Sequence, residues 1–297
     1  MRIDGILNLN KPEGKTSFAI VARLKRLTGE KHIGHTGTLD PIATGVLPVC
    51  FGQGTRVIQF LNDTSKTYLA EIELGVATDT FDREGEVVQR GDPRAVTAAQ
   101  IEEVIPAFRG SIQQVPPIYS ALKHHGRRYY ELARAGIPIR PKPRHIEITS
   151  LELVNYELPI MTIKVECGKG TYIRSLAHDL GQCLGCCAHL RNLTRLRSGP
   201  FYIENALAPS QIEDAFRQGN WKQIFHAIDS LLLNWRVAIV DKTDELAIRN
   251  GHSLPLGEED FHSQEYCRAY SPDGLFIAVL RFVSEKKVWH PEKVFSL

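Results

Sequence analysis

The sequence predicts an α+β protein built on a mixed, largely antiparallel sheet flanked by helices and loops, followed by a small C-terminal β-barrel module. Three observations carry this expectation. Residues 67–74 alternate strictly, with Tyr68, Ala70, Ile72 and Leu74 on one side and Thr67, Glu71 and Glu73 on the other, which is the period of a half-buried strand. Helical patterns occur between such strands without a repeating strand–helix–strand rhythm, which disfavours an all-parallel sheet. From about residue 234 the chain changes to short strand-like runs with turn residues between them.

In chain order, residues 3–9 read as a buried strand ending in the turn Lys11-Pro12-Glu13-Gly14. Ser17 suits an N-cap for a helix with Ile20, Val21, Leu24 and Leu27 on one face and Arg23, Lys25 and Arg26 on the other. A loop over 34–41 leads into an apolar strand at 46–51. A second alternating strand at 162–167 ends in Gly168-Lys169-Gly170, and a helix starting near Thr171 turns Ile173, Leu176, Ala177 and Leu180 inward. Two helical patterns are expected over 209–231. The last part holds strands at 237–240, 266–270 and 275–283, a Pro272-Asp273-Gly274 hairpin turn and a helix at 243–249. The expected domains are 1–233 and 234–297.

The 297 residues are 43% hydrophobic and 24% charged, ordinary for a globular chain able to bury a core. Net charge is only +2, so a polyanion would need a local basic face. Residues 120–146 supply one: Lys123, Arg127, Arg128, Arg134, Arg140, Lys142 and Arg144 face a lone Glu131, with Tyr129 and Tyr130 among them. Positive charge interleaved with rings suits phosphate neutralisation with base stacking. Six scattered cysteines in a chain of this length favour reduced thiols over a disulfide framework. The start of the chain shows no signal-peptide pattern, and no apolar run approaches a membrane span. A cytoplasmic monomer with no membrane association and no obligate protein partner is expected.

The segment Gly34–Pro48 concentrates three glycines, two prolines, His35 and one carboxylate, Asp40, ahead of an apolar strand. Such a loop can present a carboxylate at a cleft in a fixed pose, although Asp-Pro also simply initiates turns. Its run Gly-His-Thr-Gly-Thr-Leu-Asp-Pro-Ile-Ala-Thr-Gly-Val-Leu-Pro resembles the active-site motif of the TruB class of pseudouridine synthases. Further segments resemble that family in its order: Lys11-Pro12 with Gly14 and Thr16-Ser17, Lys66-Thr67-Tyr68, Pro117–Lys123, Gly168–Arg174, and the stretch around Leu193. The resemblance covers roughly 3–203 and, more loosely, a C-terminal module similar to a PUA-type RNA-binding domain.

The resemblance implies a pseudouridine-synthase fold and isomerisation of uridine 55 in the TΨC loop of tRNA. It implies Asp40 as nucleophile, Tyr68 stacked on the target base and a candidate proton acceptor, and Arg174 paired with the aspartate. Tyr172 and Leu193 would line the pocket, and His35 would fill the space left by the flipped nucleotide. Residues 117–146 would form an RNA-gripping thumb, with Lys123, Arg127, Arg128 and Arg144 on RNA. Leu193-Thr194-Arg195 stands where the family usually has Leu-Arg-Arg, which takes away one cation for a phosphate. Cys186-Cys187 replaces a commoner pair containing glycine. Neither departure touches the implied chemistry.

Isomerisation moves a bond from nitrogen to carbon without redox change or an outside group, so neither cofactor nor metal is called for. It needs a nucleophile that holds a reactive species between two bond events, which a carboxylate can do. Cys183, Cys186, Cys187 and His189 lack the second separated pair of a structural zinc site, and Asp79, Asp82 and Glu84 lack the spacing of a calcium loop and read as a polar turn. Two other readings stay open: a tRNA-binding or tRNA-folding protein with little catalysis, and a guide-dependent rRNA pseudouridylase.

Overall fold

The computed structural model describes residues 2–120, 122–124, 126–255 and 265–296, without the side chains of 61–63, 123 and 124. Strands are β1 (Gly5–Lys11), β2 (Ile33–His35), β3 (Ala43–Phe51), β4 (Lys66–Leu74), β5 (Val76–Thr78), β6 (Val87–Arg90), β7 (Gly110–Gln114), β8 (Lys123–His124), β9 (Arg127–Arg128), β10 (Arg144–Glu157), β11 (Ile160–Cys167), β12 (Ala188–Ser198), β13 (Phe201–Tyr202), β14 (Phe225–His226), β15 (Arg236–Ile239), β16 (Tyr266–Tyr270), β17 (Phe276–Val283) and β18 (Val288–Val294). Helices are α1 (Ser17–Thr28), α2 (Ala98–Val104), α3 (Tyr129–Arg134), α4 (Ile173–Cys183), α5 (Pro209–Arg217) and α6 (Lys242–Arg249).

A 10-stranded sheet runs β14-β1-β3-β12-β4-β11-β10-β7, with β2 and β13 attached to β3 and β12. Every pair is antiparallel except β3 with β12, so the sheet is mixed and largely antiparallel as expected. The alternation over 67–74 is realised in β4, where Tyr68, Ala70, Ile72 and Leu74 are buried. One large core lies on the face that α1, α4 and α5 cover, and includes Leu7, Ile20, Leu24, Leu47, Ile72, Ile163, Leu176, Leu180 and Ile212.

Two local expectations change. Helix α1 is capped by Thr16, whose side chain accepts from the Ala19 N–H at 3.0 Å, and not by Ser17. Ser17 is itself buried, and its hydroxyl is taken up by the Leu39 backbone. Of the two helices expected over 209–231, only α5 forms. Gly219 at φ 78° follows it, Trp221 stacks on Phe216 with ring centres 5.7 Å apart, and the chain then extends at Phe225 to pair with Leu7. The later residues form only a short 3-10 turn at Ile228–Leu232.

The C-terminal strands make a separate four-stranded sheet, β15-β16-β17-β18. Its first pair is parallel and the others antiparallel. Among the described residues the sheet is open rather than closed into a barrel, with Leu254 bridging to Trp289 beyond β18. Strand β18 was not expected from the sequence, because His290 and Pro291 interrupt its apolar pattern. A small core centred on Ile248, Cys267, Leu280 and Trp289 belongs to this module alone. Another core is shared: Ile6, Val46 and Cys50 on the back of the large sheet meet Phe276, Val279 and Phe295. Gln53 and Ser296 exchange hydrogen bonds across this seam at 2.7 and 3.0 Å.

Candidate active site

The loop after β2 owes its shape to contacts on both sides of Asp40. Before it, the Leu39 N–H donates to Ser17 Oγ at 2.9 Å, and that hydroxyl donates back to the Leu39 carbonyl at 3.2 Å. After it, the Pro41 carbonyl accepts from the Gly14 N–H at 2.9 Å and from Lys11 Nζ at 3.3 Å. Lys11 is wholly buried, and its ammonium also donates to the carbonyls of Pro12 and Lys15 at 2.9 and 2.6 Å. Burial pushes the Lys11 pKa down to about 8, against the opposing pull of the Asp40 carboxylate. The N-terminal Lys-Pro-x-Gly turn thus fixes the main chain that carries Asp40.

Arg174 comes from the first turn of α4. That turn is clamped where Gln114 at the end of β7 accepts from the Tyr172 N–H at 2.8 Å and donates to the Tyr172 carbonyl at 3.0 Å. The Arg174 Nε lies 2.9 Å from Asp40 Oδ2, an ion-pair contact too bent for a straight hydrogen bond, and Nη2 donates to Oδ1 at 3.3 Å. The same guanidinium reaches the carbonyls of Thr80 and Tyr119 at 3.3 and 3.0 Å and the Asp82 carboxylate at 3.5 Å. Side-chain exposure is 6% for Arg174 and 8% for Asp82 but 35% for Asp40. Arg174 and Asp82 are therefore sealed, while the Asp40 carboxylate is open to solvent. A buried guanidinium without its carboxylates would carry an uncompensated charge, which costs about 3–5 kcal/mol.

Asp82 belongs to the turn that the sequence presents as merely polar. The turn is laid against β12 by the Leu190 N–H donating to the Phe81 carbonyl and the Arg83 N–H donating to the Leu190 carbonyl, at 2.9 and 3.0 Å. Phe81 takes φ 62°, a left-handed conformation uncommon for a bulky residue. Its ring stacks on His178 of α4, with centres 4.1 Å apart and planes 18° from parallel. The stack joins the Asp82 turn to the helix that carries Arg174.

Tyr68 is 8% exposed and lies opposite Arg195 of β12 and Val165 of β11. Burial pushes its phenol pKa up, while Arg195 pulls the other way. Arg195 is wholly buried, with Nε donating to the Val46 carbonyl at 2.6 Å and Nη2 to the Gly37 carbonyl at 3.2 Å. Its backbone approaches β3 so closely that a Cβ on Gly45 would lie 2.3 Å from the Arg195 carbonyl oxygen, and Gly45 also sits at φ 99°. Only glycine fits there. His35 is half-buried at the end of β2, and burial, with Arg195 nearby, lowers its pKa. Its Nδ1 has no hydrogen-bond partner among the described residues. Leu193 is buried between Ala43 and Ala70 on the neighbouring strands. Tyr172 stands just before α4, and burial raises its phenol pKa.

Arg174 thus contacts Asp40 directly, Tyr68 and Tyr172 both lie within electrostatic reach of Asp40, His35 lies near Arg195, and Leu193 shares β12 with Arg195. Arg127 and Arg128 are exposed on the β8–β9 hairpin and Arg144 at the start of β10; the Lys123 side chain lies outside the described residues. Tyr130 is flanked by Arg128 and Arg134, whose guanidinium carbons lie 5.8 and 5.7 Å from its ring centre. Tyr129 is buried and packs inward, so only Tyr130 of the pair is available for stacking. Thr194 places its hydroxyl 2.9 Å from that of Thr44. The sequence reading gave no site role to Arg195 or Gln114 and took Asp82 as part of a polar turn, yet all three support this region.

Residues 25–173 match the TruB family pseudouridylate synthase N-terminal domain, and residues 174–238 match the tRNA pseudouridylate synthase B C-terminal domain. A tRNA pseudouridine synthase B from Dehalococcoides mccartyi is 43% identical over 293 residues, covering 99% of this chain and 97% of that one. One from Clostridium kluyveri is 43% identical over 281 residues, covering 93% and 95%. Among solved structures, a Cbf5-Nop10-Gar1 complex matches with a TM-score of 0.78 at 26% identity, covering 98% of this chain and 85% of that chain.

Proposed function

The chain belongs to the TruB family and isomerises uridine to pseudouridine in tRNA, and we propose that its target is uridine 55 of the TΨC loop, with Asp40 as the nucleophile. The observation that carries the assignment to Asp40 is the carboxylate itself. It is accessible, its backbone is pinned on both sides, and a buried arginine holds it.

The target base must leave its stack to reach that carboxylate, at a cost of about a few kcal/mol. His35, neutral and half-buried, fills the gap left in the RNA. Tyr68 lines the cleft as a stacking ring; burial keeps its phenol protonated at neutral pH, which supports the ring role over that of a resting proton acceptor. Asp40 forms a covalent bond to the nucleotide as the C1′–N1 bond breaks. The C1′–C5 bond then forms, the C5 proton leaves to a base, N1 takes up a proton and Asp40 is released, so atoms balance with no redox partner. Arg174 stays beside the carboxylate as the base closes over it, so that Asp40 is not left as an unpaired buried charge. Tyr172 and Leu193 line the pocket walls.

Residues 1–233 act as the catalytic domain, with a thumb over about 117–146 that puts Lys123, Arg127, Arg128 and Arg144 on RNA phosphates. Residues 234–297 act as a PUA-like RNA-binding module. The thumb supports a stand-alone monomer over a guide-dependent enzyme, and six free cysteines support the cytoplasm.

The test maps pseudouridine at single-nucleotide resolution in an unmodified tRNA transcript treated with wild type or Asp40→Asn. Wild type should modify one TΨC-loop uridine, and the variant should lose on the order of 10⁴-fold or more in rate, as when a covalent nucleophile is removed. Tight binding with no modification by wild type would move the chain to the RNA-binding reading. In the same assay, loss in Tyr68→Leu but not Tyr68→Phe assigns the ring, and loss in both assigns the hydroxyl.

A further inference from the structure

Many surface arginines of this chain are neutralised by its own carboxylates. Arg2 pairs with Asp4, Arg23 with Glu213, Arg94 with Asp92, Arg191 with Glu73, Arg217 with Asp214, Arg249 with Glu245 and Arg281 with Glu292. Several exposed cations have no carboxylate partner among the described residues, and two sets of them lie on segments joined to the site. One is the thumb. The other is the outer face of α1.

On that face Lys15, Lys25 and Arg26 are all exposed, and none is within ion-pair reach of an acid among the described residues. Arg23, further round the helix, is taken up by Glu213 of the α5 helix at 2.6 Å. The acids nearest in sequence are also engaged, Glu13 by Arg83 and Glu30 by the backbone N–H of His32 at 2.9 Å. Between Lys15 and Lys25 stands Phe18, 79% exposed and the most exposed large apolar side chain among the described residues. It lies on the side away from Ile20, Val21 and Leu24, which α1 buries. A solvated phenylalanine in a row of unpaired cations has the composition of a nucleic-acid stacking and phosphate surface.

The row is continuous with the catalytic loop. Ser17, the residue before Phe18, makes both hydrogen bonds that fix Leu39, the residue before Asp40. From Phe18 to Arg26 the helix rises about 12 Å, which carries the cations away from a nucleotide bound at Asp40. We propose that the outer face of α1 is a second RNA-contact surface, on which Lys25 and Arg26 neutralise phosphates and Phe18 stacks on a base of the same tRNA outside the TΨC stem-loop. The thumb and α1 then grip the substrate from two elements around Asp40. This rests on the tRNA reading above for its occupant.

The test measures equilibrium binding of full-length tRNA transcript and of its isolated TΨC stem-loop to wild type, Lys25→Ala/Arg26→Ala, Phe18→Ala and Phe18→Tyr. All three positions changed are on the surface, and coincident thermal unfolding would verify the fold. At about 0.15 M salt the double variant should bind full-length tRNA roughly tenfold more weakly, and its log Kd should depend on log salt with a slope smaller by about 2, one for each phosphate no longer neutralised. Phe18→Ala should weaken full-length binding several-fold and Phe18→Tyr should restore it. The stem-loop should shift less than twofold in every variant. Unchanged full-length binding would overturn the proposal, and an equal loss on the stem-loop would overturn its placement outside the loop. Because binding is read apart from turnover, a wild type that binds but fails to modify would sink the activity reading and leave this test intact.

Discussion

The catalytic loop and the thumb handle charge in opposite ways. Around Asp40 the buried cations find partners within the chain: Arg174 meets two carboxylates and two carbonyls, Lys11 meets three carbonyls, and Arg195 meets two. On the thumb Arg127, Arg140, Lys142 and Arg144 are exposed and have no carboxylate partner among the described residues. The difference suits the two tasks proposed for them. A group that must act within a few tenths of an ångström is held by a completed network before substrate arrives. A group that must find a phosphate on a flexible polyanion stays unpaired until the RNA completes it.

Among the groups that support Asp40, the largest effect is expected at Arg174. Replacing it with alanine strands Asp82, releases Asp40 and removes one hydrogen bond to the Tyr119 carbonyl at the start of the thumb, while keeping the thumb's exposed cations. The expected loss is about 10²–10³-fold in single-turnover rate at saturating tRNA, the range for removing a preorganised electrostatic partner, with Kd changing only a few-fold. A rate within threefold of wild type would show that the network does not hold the nucleophile.

The thumb should respond the other way. Arg127→Ala/Arg144→Ala should raise Kd about tenfold near physiological salt and flatten the salt dependence by about two units of slope, with the saturated rate unchanged. A reduced rate at saturation would mean that the thumb also shapes the catalytic centre, a route that the Arg174–Tyr119 contact makes concrete.

The smallest effect is expected at Lys11. Unfolded, this lysine keeps its proton up to its ordinary pKa of 10.5; folded, burial lowers that to about 8. Between these values the unfolded chain binds more protons, so the Lys11 contribution makes stability rise with pH. Rate should move oppositely. A neutral amine has two N–H donors for three carbonyls, and the hold on Pro41 slackens. A decline of a few-fold in single-turnover rate centred near pH 8, alongside a rise in urea midpoint, is the expected pair of results. A flat rate profile from pH 7 to 9.5 would remove Lys11 from the positioning of Asp40.

The parts of this design that repeat along the chain were legible in the sequence. Alternation in β4 and β11 fixed which side of each strand is buried, and the glycine-rich run marked the loop that carries Asp40. Partnerships between distant segments were not legible. Asp82 sits among Thr, Asp and Gly residues that would form the same polar turn with or without Arg174. Arg195 follows Leu193 in a strand, and nothing in that spacing says that its guanidinium turns inward to the carbonyls of Gly37 and Val46. Gln114 looks like any polar end of a strand until α4 is placed against it. Each needs the third dimension to acquire its role.

The core shared by β1, β3 and the C-terminal strands has a consequence for the protein's history and handling. Val46 and Cys50 lie on the strand that leaves the Asp40 loop, and they are kept from water in part by Phe276, Val279 and Phe295. The C-terminal strands therefore cannot be traded or trimmed as freely as beads on a string. A chain cut before them would show the solvent a greasy wound behind the catalytic loop, and any successful graft would have to bring a matching plug.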